Sequence, residues 1–112
     1  MTSFSKYDVV VVKFQFASSM KYKARPAIII SSDIYNENSR DTSLILAVSS
    51  NVDNKLGFEL EVKNWKQSGL LKPSILKASV ATVENSFILN KLGVLDDEDI
   101  NRVENFLGII CW

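Results

Sequence analysis

The sequence predicts a small, mainly β fold of the α+β class: one strongly curved antiparallel sheet or barrel, a short helix near 64–68 and a C-terminal helix. Three observations carry this. Six short apolar or alternating stretches follow one another at close spacing. They are not interleaved with helical segments, as a parallel βαβ sheet would require. A helical period surfaces in only two places, briefly after Asn64 and clearly after Asp96.

In chain order, Val9–Val12 is an unbroken apolar run that passes into the alternation Lys13-Phe14-Gln15-Phe16, a strand whose far half has one wet face. Residues 17–23 follow as a Ser- and Lys-rich loop without Gly or Pro. Arg25-Pro26-Ala27-Ile28-Ile29-Ile30 is the second strand. Pro26 has no backbone N–H and so sits at a strand start, which places the Arg25 cation where a loop meets a rigid element. Asp33–Asp41, with Asn36, Asn38 and Ser39, reads as a polar turn region. Thr42–Ser49 is a third apolar strand running into Ser50-Asn51, and Phe58–Val62 alternates apolar with acidic residues as a half-buried fourth. Asn64 is placed to cap a short helix that Gly69 stops in a left-handed conformation. Ser74–Ala81 and Phe87–Leu95 read as the last strands. Asp96 or Asp97 then starts a helix with an acidic first turn, along which Ile100, Val103, Phe106 or Leu107 and Ile110 recur at helical spacing, and Gly108 is a place where it can break or end.

Composition bounds the chemistry. The 112 residues fit one domain, 1–112, with 46% hydrophobic and 23% charged side chains, ordinary for a soluble globular protein. Thirteen basic and thirteen acidic residues cancel, so an anionic partner has to be held by a local patch. Such a patch exists: Lys13, Lys21, Lys23 and Arg25 fall in one acid-free segment. There is no histidine, which excludes an imidazole base, a triad built on one and a His-ligated metal. The one cysteine, Cys111, excludes an intrachain disulfide and a Cys-rich zinc site. No cofactor is implied. The first residues carry no signal-peptide pattern and no run approaches the roughly 18 apolar residues of a membrane span, so a cytoplasmic protein away from the membrane is expected.

A guanidinium held at a strand start suits a phosphate, which its planar fork of donors can grip; an ion pair with a carboxylate is the plainer use of the same position. Ser49 ends a buried strand, where its hydroxyl can donate to a phosphate oxygen or satisfy a backbone carbonyl. Lys13, Lys21 and Lys23 offer a sequence-independent grip on a phosphate backbone, or mere solvation. Tyr22 is the aromatic freest to stack on a base, whereas Phe14 and Phe16 share a face and belong to a core or a subunit contact. Ser50 and Asn51 can read a base or only form a turn. Trp65 packs the short helix on the sheet, and Trp112 has no assigned role.

In order along the chain stand Asp8-Val9-Val10, Phe14-Gln15-Phe16, Arg25-Pro26-Ala27-Ile28, Ser32-Asp33, Ala47-Val48-Ser49-Ser50-Asn51, Gly69-Leu70-Leu71-Lys72-Pro73-Ser74 and Lys91 to Asp99. Together they make the chain resemble the PemK/MazF toxins of bacterial toxin–antitoxin modules over nearly its whole length. The resemblance implies an SH3-like barrel of the CcdB/PemK type, a homodimer, and a metal-independent endoribonuclease that cuts single-stranded RNA. It implies catalytic roles for Arg25 and for Ser49, where the family usually has threonine, RNA contact by the loop at 17–23, and an antitoxin protein that enters the same groove. Two departures stand out. Tyr7 replaces the glycine that normally precedes the Asp-Val pair, and Lys77 and Ser79 stand where some members have an arginine and an aspartate. Lys77 keeps an RNA-binding charge without the fork, and Ser79 removes a carboxylate base. Asp33, Glu84 or a neutral route through Ser49 are left to supply the base. Two alternatives stay open beside the nuclease: a gyrase-poison type toxin that acts by protein binding, and a degenerate member that binds RNA or antitoxin without cleaving.

Overall fold

The structure is a computed structural model that describes residues 4–15, 22–51 and 59–111, the side chains of Gln15 and Tyr22 excepted. Its strands are β1 (Asp8–Gln15), β2 (Tyr22–Ile29), β3 (Thr42–Ser49), β4 (Glu59–Glu61), β5 (Ile75–Glu84) and β6 (Ile88–Val94). They form one sheet in the order β4-β5-β3-β2-β1-β6, with every neighbouring pair antiparallel. Among the described residues the sheet is curved but not closed, so β4 and β6 remain its edges. Register shifts in the β1–β6 and β3–β5 pairings are the irregularities through which such a sheet gains twist and bend.

Side chains alternate between the two faces of a strand, and here both faces are dry at the centre. Val9, Ile28, Leu46, Val48 and Leu76 form one core, which Val103 and Phe106 of the C-terminal helix α2 (Asp97–Cys111) complete. Val10, Val12, Ala27, Ile29, Ile45 and Ile88 form the other. This is why these runs are apolar: Val9, Val10, Val12 and Ala27–Ile29 are fully buried, while Val11 and Ile30 are only partly covered.

The C-terminal helix forms as expected. Asp96 precedes it, accepting Glu98 N–H on its side chain at 3.2 Å and Ile100 N–H on its carbonyl at 2.9 Å, and three acids occupy the first turn. Gly108 does not break it, and there is open space beside that residue. No described helix is long and apolar enough to cross a membrane.

Three expectations are corrected. The second strand starts at Tyr22 and not at Pro26, because residues 22–26 all pair with β1, so Arg25 and Pro26 lie inside the strand and not where a loop meets it. The segment near 64–68 is a run of turns and not a helix. Asn64 does not cap it, because its side-chain amide is turned away to donate to Asp96 and Glu98 at 2.9 and 3.0 Å. Gly69, at φ +92°, ends the segment after a single turn, too little chain to repay helix nucleation. Conversely, Asp33–Asn38 is a short helix, α1, and not a plain turn. Ser32 caps it by accepting Tyr35 N–H at 3.1 Å, and Asp33 supplies the acidic first turn.

The turn before Gly69 lies directly on β6. A Cβ on Gly69 would sit 2.3 Å from Leu92 O, and one on Gly93 would sit 2.5 Å from Ser68 O, so no side chain fits between the two segments. The same turn is tied to α2 by Asp99, which is 2% exposed. Its carboxylate accepts Lys63 N–H at 3.0 Å and Asn64 N–H at 2.9 Å, and pairs with Arg102 at 3.1 Å.

Tyr7 occupies the position where glycine is usual in the resembled family, and its φ of +72° shows why glycine suits it. Here the strained backbone is fixed from several sides. Tyr7 N–H donates to Ile29 O at 2.7 Å, Leu95 N–H donates to Tyr7 O at 3.0 Å, and the buried phenol donates to Glu104 at 2.8 Å. Burial first, then the hydrogen bond and charge of Glu104, push the phenol well above the ordinary tyrosine range. The folded chain therefore holds this proton more tightly than the unfolded chain. The resulting stability is complete below about pH 10 and is lost as pH rises from there toward the folded value. Urea midpoints measured from pH 8 to 11 should fall more steeply for the wild type than for Tyr7→Phe, and parallel curves would remove Tyr7 as the cause.

Candidate active site

The second and third strands pair as Ala27↔Ala47, Ile28↔Leu46 and Ile29↔Ile45. Continued two residues beyond the recorded pairs, the same register would bring Arg25 to the level of Ser49. Both then share the face of Ala27 and Ala47. The recorded pairing stops at Ala27, next to Pro26, which has no N–H to donate. Arg25 is the fourth residue of β2 and Ser49 the last of β3, so the cation stands within one strand and the hydroxyl at the end of its neighbour. Arg25 is exposed but its backbone is anchored, since β1 pairs with it at Val12. Ser49 is half-buried and its Oγ accepts Asn51 N–H at 3.1 Å. That bond uses an oxygen lone pair and leaves the hydroxyl proton for another acceptor.

The other candidates divide between the faces. Lys23, two residues before Arg25, alternates onto the same side. Lys77 joins them: Ser49 pairs with Ile75, residues 75 and 77 point the same way, and Lys77 stands across from Glu59 on β4. Lys13 pairs with Ala24 and so belongs to the opposite face, with Ser50. Asn51 is exposed just beyond β3. Lys21, Phe16 and Trp112 lie outside the described residues, and of Tyr22 only the backbone, paired with Gln15, is described.

A cleft of about 260 Å³ opens beside Arg25. Arg25 and Ser50 line it together with Leu71, Lys72 and Ser74 of the Gly-Leu-Leu-Lys-Pro-Ser turn. Lys72 and Leu71 were not legible as site residues. The available signal was a cation and an exposed leucine just before a proline, on a turn that the two facing glycines press against the sheet.

Neither carboxylate considered as a base reaches this place within one chain. Asp33 begins α1 beyond the far end of β2, where it accepts Lys6 N–H at 3.2 Å. Glu84 pairs with Thr42, at the opposite end of β3 from Ser49 and roughly 23 Å away at the rise of an extended strand. It lines a different, larger cleft of about 600 Å³ with Arg40 and Asn85. Neither of those acids therefore lies beside Arg25 or Ser49.

Comparison with curated proteins finds no match. Solved structures do match in fold. The MazE–MazF assembly (form II) from Deinococcus radiodurans superposes with a TM-score of 0.78 at 17% identity, covering 99% of this chain and 97% of that one. The Mycobacterium tuberculosis toxin MazF-mt6 gives 0.72 at 16% identity, covering 92% and 94%. An endoribonuclease in complex with its cognate antitoxin from a mycobacterial species gives 0.73 at 14% identity, covering 99% and 95%. At the level of sequence pattern, residues 5–111 match the family described as PemK-like, MazF-like toxin of type II toxin-antitoxin system. Nearly the whole chain is matched, and it belongs to that toxin family.

Proposed function

We propose that this protein is a metal-independent endoribonuclease toxin that cuts single-stranded RNA. The observation that supports the reading is that Arg25 and Ser49 stand on the neighbouring, paired strands β2 and β3 and alternate onto the same face, in a chain of a family known for endoribonucleases. In the proposed reaction the 2′-oxygen of one nucleotide attacks the adjacent phosphorus and the P–O5′ bond breaks. A 2′,3′-cyclic phosphate and a 5′-hydroxyl result, and one proton passes from the 2′-hydroxyl to the 5′-oxygen. Arg25 holds the charge that builds on the pentavalent phosphate and donates toward the leaving oxygen; Ser49 donates to a non-bridging oxygen. Lys23 and Lys77, on the same face, grip flanking phosphates. The attacking proton leaves by water or through Ser49, since Asp33 and Glu84 stand at the far end of the sheet.

A cognate antitoxin and a homodimeric, cytoplasmic state complete the reading, because structures of this fold include complexes of toxins with antitoxins. Sizing with light scattering is expected to return twice the chain mass, and a stable monomer would remove the dimer. For the activity, purified protein is incubated with a long mixed-sequence RNA in excess chelator. Discrete fragments are expected. Intact RNA with correctly folded protein would end the ribonuclease reading, and a block of gyrase supercoiling under the same conditions would replace it with a protein-binding toxin.

A further inference from the structure

The cleft of about 600 Å³ at the far end of β3 from Ser49 has no part in the reaction proposed above. Phe4, Arg40, Asp41, Glu84, Asn85 and Ser86 line it, and its volume is that of a small-molecule or cofactor site. Two chain segments build it and are tied together. Glu84 pairs with Thr42 across β5 and β3, and Asn85 N–H donates to Asp41 O at 2.7 Å. Phe4 forms the apolar wall: it packs against the core of Val10, Val12 and Ile88, and its carbonyl accepts the Asn36 side-chain amide at 3.1 Å.

The polar lining has a definite sense. Fully buried Ser43 donates its hydroxyl to Asn85 Oδ1 at 2.6 Å, so the carboxamide oxygen is taken up by the protein and Asn85 has its N–H groups to offer. Arg40 adds a fork of donors, and Asp41 and Glu84 add acceptors. Among the described residues no ion pair joins Arg40 to either acid. Two carboxylates against one guanidinium make a poor seat for a phosphate, and the guanidinium makes a poor neighbour for a cation. A neutral, flat ligand with donors on one edge and acceptors on another uses both kinds of group. Guanine has this layout: O6 and N7 accept, while N1–H and the 2-amino group donate. Adenine carries an amino group where guanine has O6, and would set donor against donor at Arg40.

We propose that this cleft binds a guanine base, with Glu84 accepting from N1–H and the 2-amino group, Arg40 and Asn85 donating to the O6 and N7 edge, and Phe4 against the ring. The same edges are presented by a guanine in single-stranded RNA and by a free guanine nucleotide. The site goes beyond the ribonuclease reading and does not depend on it.

The test is titration calorimetry of the full chain with guanosine, adenosine, cytidine and uridine. Guanosine should bind, and the other three at least about tenfold more weakly. Inosine, which lacks the 2-amino group, should bind the wild type about tenfold more weakly than guanosine does; Glu84→Ala should weaken guanosine by a similar factor and bind guanosine and inosine alike. Arg40→Ala should also weaken guanosine. Both residues are exposed, so the variants keep the fold. Two further arms separate the sources. A 2′-O-methyl oligouridylate with one central guanine, which cannot be cut by 2′-oxygen attack, should outbind the all-uridine strand in a Glu84-dependent way if the base belongs to RNA. Guanosine monophosphate should outbind guanosine, with no such gain in the strand, if it belongs to a free nucleotide. Folded protein that takes up no guanosine at millimolar concentration overturns the proposal, as do equal affinities for the four nucleosides or Glu84→Ala and Arg40→Ala variants that bind guanosine like the wild type. Cleavage of RNA in chelator decides the ribonuclease reading separately, so either can fail without the other.

Discussion

Arg25→Ala is expected to lower kcat for RNA cleavage by about 10²- to 10³-fold, the loss typical of removing one preorganised donor from a developing oxyanion. The backbone at this position is held by β1, while the residue is exposed. Truncation should therefore remove the charge without moving the strand, and circular dichroism and urea midpoints should match the wild type. Arg25→Lys is expected to recover only part of the rate, because a point charge replaces a planar fork that can meet two phosphate oxygens at once. Steady-state kinetics on a short oligoribonucleotide decides this. A kcat within twofold of wild type for Arg25→Ala would return the arginine to a structural role.

The second large effect is on stability and lies away from the catalytic pair. Asp99→Ala should cost about 3 kcal/mol, the low end for breaking a buried ion pair, because Arg102 is partly exposed and recovers some hydration. Two backbone donors, Lys63 N–H and Asn64 N–H, lose their acceptor in the same substitution. Asp99→Asn keeps the shape and an acceptor oxygen and should cost less. Equilibrium urea unfolding measures both, and a shift below 0.5 kcal/mol for the alanine variant would show that Asp99 does not anchor the turn. The consequence reaches the cleft, because that turn carries the chain into Leu70, Leu71 and Lys72. Asp99→Ala should loosen RNA binding as well as folding.

Much of the fold was legible because burial writes itself into residue order. Val9, Val10, Val12 and Ala27–Ile29 are apolar because they are buried on one face or the other of β1 and β2, and the acids at 96–99 mark the start of α2. The short elements were less legible. Ser32-Asp33 is a helix start, but Asn36, Asn38 and Ser39 carry an equally good turn signal, and only the Ser32 cap decides between them. Asn64 looked like a cap, yet its amide serves Asp96 and Glu98, partners more than thirty residues away. Distant partners of that kind leave no local trace.

The site divides in the same way. Arg25 is visible as a cation before a proline, though its strand starts earlier, at Tyr22, and Ser49 as a hydroxyl at a strand end; that their strands are neighbours is a property of the β2–β3 pairing, which neither segment encodes alone. The split of Lys13 from Lys23 and Lys77 follows from alternation once the strands are bounded. Lys72 and Leu71 became site candidates only because Gly69 and Gly93 let their turn lie against the sheet. The positions of Asp33 and Glu84 depended on which end of each strand carries the site, and that was decided by Pro26.

The chemistry of the product ends tests the central claim most directly. RNA cut by the purified protein in excess chelator, with fragment masses resolved by mass spectrometry, should carry 2′,3′-cyclic phosphates on one side of each break and 5′-hydroxyls on the other. Fragments ending in 3′-hydroxyl and 5′-phosphate, or no fragments from folded protein, would contradict a site in which Arg25 and Ser49 assist attack by the RNA's own 2′-hydroxyl.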